Sequence, residues 1–184
     1  ILGDARSTEM QANINLKIKF RESFRPFAPA VLSDHADEYF DMGGVSSPYM
    51  LLVAPVAEKQ RLDLTPEQLA VQGVDRRLIA RSSVPAITHV DNSARVQTID
   101  ENANPLFHEL LQRYYQISHS PLVVNTSFNI RGEPIVRDPQ DAYRCFMATK
   151  MDVLVMGHFV VKKSEQPDVT SHQVDEYLGQ FPLD

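Results

Sequence analysis

Three predicted helix starts with the same cap-and-proline pattern constrain the fold more than any other feature of this sequence. At three places a side chain that can cap a helix stands directly before a proline. The three pairs are Thr65-Pro66, Asn104-Pro105 and Asp138-Pro139. A capping oxygen accepts an N–H of the first turn, and proline suits the first helical position because it has no N–H to satisfy. The sequence therefore predicts helices from these prolines. In the second of them we expect Leu106, Leu110 and Leu111 to face the core.

Short apolar runs, rich in β-branched residues, separate the predicted helices. We expect a buried strand at 48–56, two strands within 84–99, a strand that begins at 121 and a final strand at 152–161. A helix that ends near Lys17 and a short helix at 33–41 complete the pattern. Helices that alternate with strands of different character predict an α+β (mixed α/β) fold around a mixed sheet.

The composition suits one globular domain and excludes several functions. The 184 residues, 43% of them hydrophobic, can bury a single core. No apolar run approaches the roughly 20 residues that a membrane-spanning helix needs. A formal net charge of −6 makes nucleic acid an unlikely partner. Cys145 is the single cysteine, which fits a reducing compartment, so we expect a cytoplasmic protein and a thiol packed on the apolar face of its helix.

The two ends of the sequence differ from its middle. The chain starts at Ile1 without an initiating methionine. We interpret it as a piece of a longer protein, with 1–7 as the remnant of a linker, although a processed N-terminus has the same appearance. Residues 164–184 are polar without a clear period, and we expect them to be loose or to pack late. The predicted domain is therefore 1–163.

A basic cluster near the N-terminus is the first candidate for a binding site. Lys17, Lys19, Arg21 and Arg25 fall within nine positions of an otherwise acidic chain. If 18–22 is extended, Lys19 and Arg21 point to one side while the apolar residues between them point to the other. Arginine binds phosphate or carboxylate through two parallel hydrogen bonds, and lysine adds a point charge. The pattern favours an anion site over an ordinary solvated face.

A second cluster follows the strand that begins at 121. On a continued strand, Asn125, Ser127 and Asn129 lie on one face, and Arg131 with Gly132 follows. Amide and hydroxyl groups offer donors and acceptors, so the set can orient a carbamoyl group or hold a phosphate oxygen. The alternative is turn capping, which asparagine and serine perform in many loops and which accounts for one or two of these residues.

The third cluster is His89, Asp91, Arg95 and Gln97. A His-x-Asp pair can bind a metal, but no further cysteine or histidine stands at ligand spacing, so we predict no metal site. We expect His89 to form hydrogen bonds at a strand edge, and Arg95 to be the functional residue. The sequence contains neither a phosphate-binding loop motif nor a dinucleotide fingerprint.

Six segments of the chain resemble one family. They are IKFRESFRPFAPAVL (18–32), PYMLLVAPV (48–56), PAITHVDNSARVQTI (85–99), NPLFHELL (104–111), PLVVNTSFNIRGEPIV (121–136) and DAYRCFMATKMDVLVMGHFVV (141–161). In this order they resemble the C-terminal domain of the O-carbamoyltransferases of nodulation-factor and antibiotic biosynthesis. That resemblance implies a YrdC-like fold, a twisted mixed sheet flanked by helices. Asn92-Ser93 departs from the Gly-Thr that the family often has at this turn.

The resemblance also implies a reaction and its residues. Carbamoyl phosphate and ATP give carbamoyl-adenylate in this domain, and Mg²⁺ arrives with ATP. A larger N-terminal domain of actin-like fold, which holds Fe or another divalent metal, then transfers the carbamoyl group to a hydroxyl. The family's Lys-x-Arg and Ser-x-Asn signatures match Lys19-Phe20-Arg21 and Ser127-Phe128-Asn129. The resemblance thus implies catalytic roles for Lys19, Arg21 and Ser127. The remaining residues, expected to bind the substrates, are Arg25, Arg95, Asn125, Asn129 and Arg131.

Two other functions remain open from the sequence. One is a non-catalytic module that binds a nucleotide or structured RNA, because YrdC-like folds are associated with tRNA modification. The other is a scaffold domain whose polar clusters only cap turns. If the chain is an adenylating enzyme, we expect Lys19 and Ser127, which are 108 positions apart, to meet in the folded chain.

Overall fold

A computed structural model describes residues 1–181 of the chain, except for the side chain at position 74. The chain divides into two compact units. The first contains Ile1–Gln11 and Phe24–Thr126, and the second contains Ala12–Ser23 together with the chain from Ser127 onward. Each unit is therefore built from segments that are distant in sequence.

A five-stranded mixed sheet forms the centre of the first unit. Its strands are β1 (Leu2–Gly3), β2 (Ala28–Leu32), β3 (Leu52–Pro55), β4 (Ser93–Ile99) and β5 (Leu122–Asn125). Their order is β1-β5-β2-β4-β3. Strands β2 and β4 are parallel, and the other neighbouring pairs are antiparallel. The predicted α+β fold around a mixed sheet is therefore confirmed.

Six helices and a hairpin complete the described secondary structure, apart from short 3-10 turns. The helices are α1 (Met10–Lys17), α2 (Ala36–Tyr39), α3 (Pro66–Ala70), α4 (Pro105–Ser118), α5 (Pro139–Ala148) and α6 (Ser171–Gly179). Strands β6 (Val153–Met156) and β7 (Phe159–Lys162) form an antiparallel hairpin in the second unit. None of the helices within 1–181 has both the length and the apolar character needed to cross a bilayer.

The core of the first unit lies where α4 packs on the sheet. Leu111 of α4 is fully buried against Leu32 of β2, Ile99 of β4 and Val123 of β5. Apolar surface removed from water contributes roughly 25 cal/mol per Å², so these contacts hold the helix on the sheet. Phe107 packs against the same cluster.

The predicted helix starts are confirmed. Side chains of Thr65, Asn104 and Asp138 accept N–H groups of the first turn, and a proline follows each of them. The sequence analysis missed a further capped helix, since Thr170 forms a capping box with Gln173 at the start of α6, without a proline after it. Part of the segment after 163, which we expected to be loose or to pack late, is thus helical.

Three strand predictions need correction. The run 48–56 gives only the four residues of β3, and Val53 is 59% exposed because β3 is an edge strand. Residues 84–99 give one strand, since Pro85–Ile87 forms a 3-10 turn where a strand was expected. The run 152–161 is a hairpin, because Gly157 adopts a positive φ that turns the chain between β6 and β7.

The prediction of which α4 residues face the core was also wrong in part. Leu111 is buried, but Leu106 is 80% exposed and Leu110 is 47% exposed. At 100° per residue, position 106 lies about 140° around the helix from position 111. The two leucines therefore cannot share one buried stripe.

This difference predicts a contrast in stability. Leu111→Ala should lower the free energy of unfolding by about 3 kcal/mol, because it removes buried methyl groups and leaves a cavity. Leu106→Ala is the matched control, with an expected change of no more than about 0.5 kcal/mol. Urea denaturation followed by circular dichroism measures both, and equal losses for the two variants would contradict the assigned core.

Candidate functional site around Lys19

Lys19 lies at the end of α1, in a turn rather than in a strand. Its N–H donates to Ile14 O at 2.8 Å, and Phe20 has a φ of 47°, so the chain turns sharply after the helix. Residues 18–22 are therefore not extended, so the condition under which Lys19 and Arg21 would point to one side is not met. Lys19 is only 3% exposed and Ile18 is 8% exposed, so these neighbours do not alternate between solvent and core.

Four oxygen atoms of one loop surround the Lys19 ammonium. The Nζ atom lies 2.6 Å from Ser127 O, 3.1 Å from Ser127 Oγ, 2.9 Å from Asn129 O and 2.7 Å from Asn129 Oδ1. An ammonium has three N–H donors, so four acceptors exceed its capacity by one. The Lys-x-Arg and Ser-x-Asn signatures therefore meet in the second unit, through Lys19, Ser127 and Asn129.

The Ser127 loop is not the strand that the sequence pattern indicated. Strand β5 ends at Asn125, and residues 126–129 have no strand pairing, so the predicted common face of 125, 127 and 129 is wrong. Ser127 Oγ also donates to Asn129 Oδ1 at 2.6 Å. Ser127 is exposed and Asn129 is partly exposed, so solvent reaches this side of the cluster.

Glu133 holds this loop from its other side. Its backbone carbonyl accepts Asn129 Nδ2 at 2.7 Å, and its Oε2 accepts the Ile130 N–H at 2.8 Å. Because Nδ2 is engaged, the Asn129 side chain directs its oxygen toward Lys19. Glu133 thus orients an acceptor that contacts the cation.

Two guanidinium groups belong to the same unit. Arg21 Nε donates to Oδ1 of the fully buried Asn15 at 2.7 Å, and Asn15 Nδ2 donates to Ser23 O. Arg131 forms an ion pair with Glu22 at 3.4 Å, and both side chains are partly exposed. The second unit therefore contains three of the predicted cations, with Lys19 as the buried one.

The other three predicted residues lie in the first unit. Arg25 is exposed, and its carbonyl accepts Gln11 Nε2 at 3.2 Å. Asn125 Nδ2 donates to Gln97 Oε1 at 2.8 Å. Arg95 is exposed on β4, two residues before Gln97.

The register of the sheet relates the polar residues of the first unit. Ala28 of β2 lies beside Asn125, and Ala30 lies beside Gln97. Because residues i and i+2 share a face, Arg95, Gln97 and Asn125 lie on one face of the sheet. They form a polar row on the face that carries α4 elsewhere.

His89 forms the strand-edge contacts expected of it. Its Nδ1 lies 3.0 Å from Ser93 Oγ, and its N–H donates to Ser93 O. Asp91 accepts both the N–H and the hydroxyl of Ser93. Hydrogen bonding from Ser93 lowers the pKa of Asp91, while burial lowers the pKa of His89. Within residues 1–181 no cluster of three or more histidine, cysteine, aspartate or glutamate side chains is placed to bind a metal.

These features define a mixed α+β domain in which the buried Lys19 contacts Ser127 and Asn129. The sequence profile described as "Carbamoyltransferase C-terminus" matches residues 1–163. The chain therefore belongs to the carbamoyltransferase C-terminus family.

Similar proteins from other organisms support this membership. An uncharacterized protein of Synechocystis is 52% identical over the whole chain, which spans 29% of that relative. Nodulation protein NolO of Bradyrhizobium diazoefficiens is 37% identical over 89% of this chain and 26% of its own length. Nodulation protein U of Sinorhizobium fredii is 38% identical over 72% of this chain and 20% of its own length. The chain thus spans less than a third of these relatives.

Burial and charge together set the protonation of Lys19. Burial, with a smaller contribution from Arg21, lowers the pKa of Lys19 to about 8 from 10.5. The surrounding oxygens act in the opposite direction because they favour the ammonium. At neutral pH the side chain is therefore still a cation.

The lowered pKa predicts how Lys19 affects stability. Between pH about 8 and 10.5, the unfolded chain keeps a proton that the folded chain has lost, so the free energy of unfolding rises with pH. The rise should be smaller in Lys19→Met but not absent, because burial also lowers the pKa of Lys163 to about 8. Urea denaturation across the window measures the difference. A direct check is NMR titration of Nζ. A Lys19 pKa at or above 10.5 would contradict the prediction.

Proposed function

We propose that this chain is the C-terminal domain of an ATP-dependent O-carbamoyltransferase, and that it forms carbamoyl-adenylate from carbamoyl phosphate and ATP. The observation that supports this proposal is the contact of Lys19 with Ser127 and Asn129 in a chain of the carbamoyltransferase C-terminus family. The adenylating step and its substrates go beyond what family membership states.

The proposed reaction has two balanced steps. Water first takes the phosphoryl group of carbamoyl phosphate, which leaves carbamate and inorganic phosphate. A carbamate oxygen then attacks the α-phosphorus of ATP, the bond to the bridging oxygen of the β-phosphate breaks, and pyrophosphate leaves. The products are carbamoyl-adenylate, phosphate and pyrophosphate, so both inorganic products report the reaction.

Fixed cations are the main requirement of this chemistry. Two phosphorylated substrates repel each other strongly where water is excluded, and placed positive groups offset that repulsion. We assign Lys19 and Arg21 to the phosphate groups, with Arg131 at the more exposed side. The Ser127 hydroxyl and the Asn129 amide are assigned to orient the carbamoyl group for in-line attack.

Groups in the first unit are assigned to the nucleotide. Arg95 and Asn125 lie on one sheet face, with an exposed guanidinium and a partly exposed amide. Arg25 adds a further exposed cation. Magnesium would be held mainly by the phosphates, because the described residues offer no carboxylate cluster for it.

Transfer to the final hydroxyl is assigned to a second domain. In this proposal an N-terminal domain of actin-like fold, with Fe or another divalent metal, accepts carbamoyl-adenylate and carries out the transfer. This chain spans less than a third of the length of each of these relatives, which is consistent with such an arrangement.

The proposal predicts product release that depends on the Lys19 cluster. With carbamoyl phosphate, Mg²⁺ and ATP, the chain should release pyrophosphate, and Ser127→Ala should lower the rate by about 10²-fold. Lys19→Ala should lower it at least as much. Lys59→Ala is the matched control, since Lys59 is exposed, and it should keep the full rate. Because Ser127 is exposed, its loss tests chemistry without a buried cavity. Equal rates in all four proteins would contradict the assignment.

Nucleotide affinity provides a separate prediction. Arg95→Ala should weaken ATP binding about 10-fold, since a charge-assisted contact is lost, and should leave the free energy of unfolding unchanged. The control is Arg113→Ala, which removes an exposed arginine of the same unit. Isothermal titration calorimetry at several salt concentrations measures both. A scaffold would show no change in affinity, and an RNA-binding module would instead bind RNA with a steep salt dependence.

A further inference from the structure

The C-terminal helix α6 reaches the Lys19 site through one buried tyrosine. This helix (Ser171–Gly179) lies beyond residues 1–163, which the family profile matches. Tyr177 is 8% exposed, and its hydroxyl donates to Glu133 Oε1. Glu133 is itself 9% exposed. A segment outside the family profile therefore supplies a donor to the residue that holds the Ser127 loop.

Hydrogen bonds to the carboxylate and to the backbone carbonyl of Glu133 connect this tyrosine with the residues that contact the cation. Tyr177 donates to one carboxylate oxygen of Glu133, and the other oxygen accepts the Ile130 N–H. The Glu133 carbonyl accepts Asn129 Nδ2, and Asn129 Oδ1 accepts Lys19 Nζ. Each step is a direct contact between residues of the second unit.

The groups around Glu133 cannot easily replace the tyrosine as a donor. Burial and the hydrogen bond to Glu133 raise the pKa of Tyr177, so its phenol keeps the proton that it donates. Burial, with the Glu133 charge, raises the pKa of the fully buried Cys145 to about 12, so the neighbouring thiol is neutral and only a weak donor. The phenol is therefore the strong side-chain donor to Glu133 on this side.

We propose that Tyr177 is a positioning residue for the Lys19 site, which it sets by holding Glu133 and through it the acceptors of the 127–130 loop. The proposal rests on the proposed function for the meaning of the site, but the geometry of Lys19 can be measured without that function. In this proposal helix α6 contributes to the Lys19 site, although it lies outside the residues that the family profile matches.

Tyr177→Phe isolates this role from simple packing. The substitution keeps the ring, and with it the edge contact to Phe181, whose centroid lies 5.4 Å away. Only the O–H is lost, which leaves a buried carboxylate oxygen without its phenol donor. Tyr143→Phe is the matched control, because Tyr143 donates to Gln166 at an exposed position.

The first measurement follows Lys19 by NMR of Nζ in the intact chain. Tyr177→Phe should shift the Lys19 pKa and speed the exchange of its ammonium protons with water about 10-fold, with the helical circular dichroism unchanged. Tyr143→Phe should change neither. An unchanged Lys19 signal in folded Tyr177→Phe overturns the proposal, and this result does not depend on whether the chain is an enzyme.

The second measurement uses pyrophosphate release. Tyr177→Phe should lower kcat about 10-fold while KM for ATP changes less than about threefold. The substitution disturbs the position of the loop acceptors around Lys19 but leaves the cations of the site in place. Glu133→Gln should cause a similar loss, and the double variant should lose no more than Glu133→Gln alone. Multiplied losses in the double variant would overturn the proposal. If the wild-type chain releases no pyrophosphate while the Lys19 signal responds to Tyr177→Phe, the proposed function fails and the positioning role stands.

Discussion

The buried Lys19 side chain, through its hydrogen bonds to the Ser127 loop, is the interaction that joins the two segments of the second unit. Removing a charged group from water is costly unless oxygens or counter-charges replace the lost hydration. Here four oxygens of two loop residues surround it, and two of them are backbone carbonyls. The same contact joins Ala12–Ser23 to the chain from Ser127 onward, segments that are more than a hundred positions apart. A second link, from the Arg131 N–H to Lys19 O, ties the backbones together. The unit is therefore organised around a cation and not only around an apolar core.

The loop that holds Lys19 is itself supported by polar contacts. Glu133 engages Asn129 and Ile130, so the loop oxygens keep their direction without a strand to fix them. In a medium of low effective dielectric such a network is strong when every member is satisfied and costly when one is not. Helix α6 belongs to the same network because Tyr177 reaches Glu133. Hydrogen bonds thus connect the site with the C-terminal helix, although the sequence profile of the family stops before the helix begins.

Local chemistry was easier to predict from the sequence than long-range packing. Helix starts at Pro66, Pro105 and Pro139 were correct because a cap and a proline act within one turn. Strand burial and the inward face of α4 were wrong in part, since exposure depends on which elements cover a segment. The contact of Lys19 with Ser127 was predicted from the family signatures. The strand geometry considered for 18–22 and for 125–129 is not what the structure shows. Nothing local marks Glu133 as a partner of Tyr177, although Thr170 and Gln173 could have indicated the helix that carries the tyrosine.

The surplus of acceptors around Lys19 constrains which ligand can bind there. With three donors and four acceptors, the ammonium already has its hydrogen bonds, so a ligand must displace an oxygen. The carbonyls of Ser127 and Asn129 belong to the backbone, and Glu133 holds the Asn129 amide, which leaves the Ser127 hydroxyl as the group that can move aside. A neutral ligand oxygen would gain little over this hydroxyl. A phosphate oxygen carries negative charge, so its attraction to the ammonium includes a charge–charge contribution that the neutral loop oxygens lack. Replacement of a loop oxygen by a ligand oxygen therefore favours anionic ligands. It would occur where the exposed Ser127 contacts the buried Lys19.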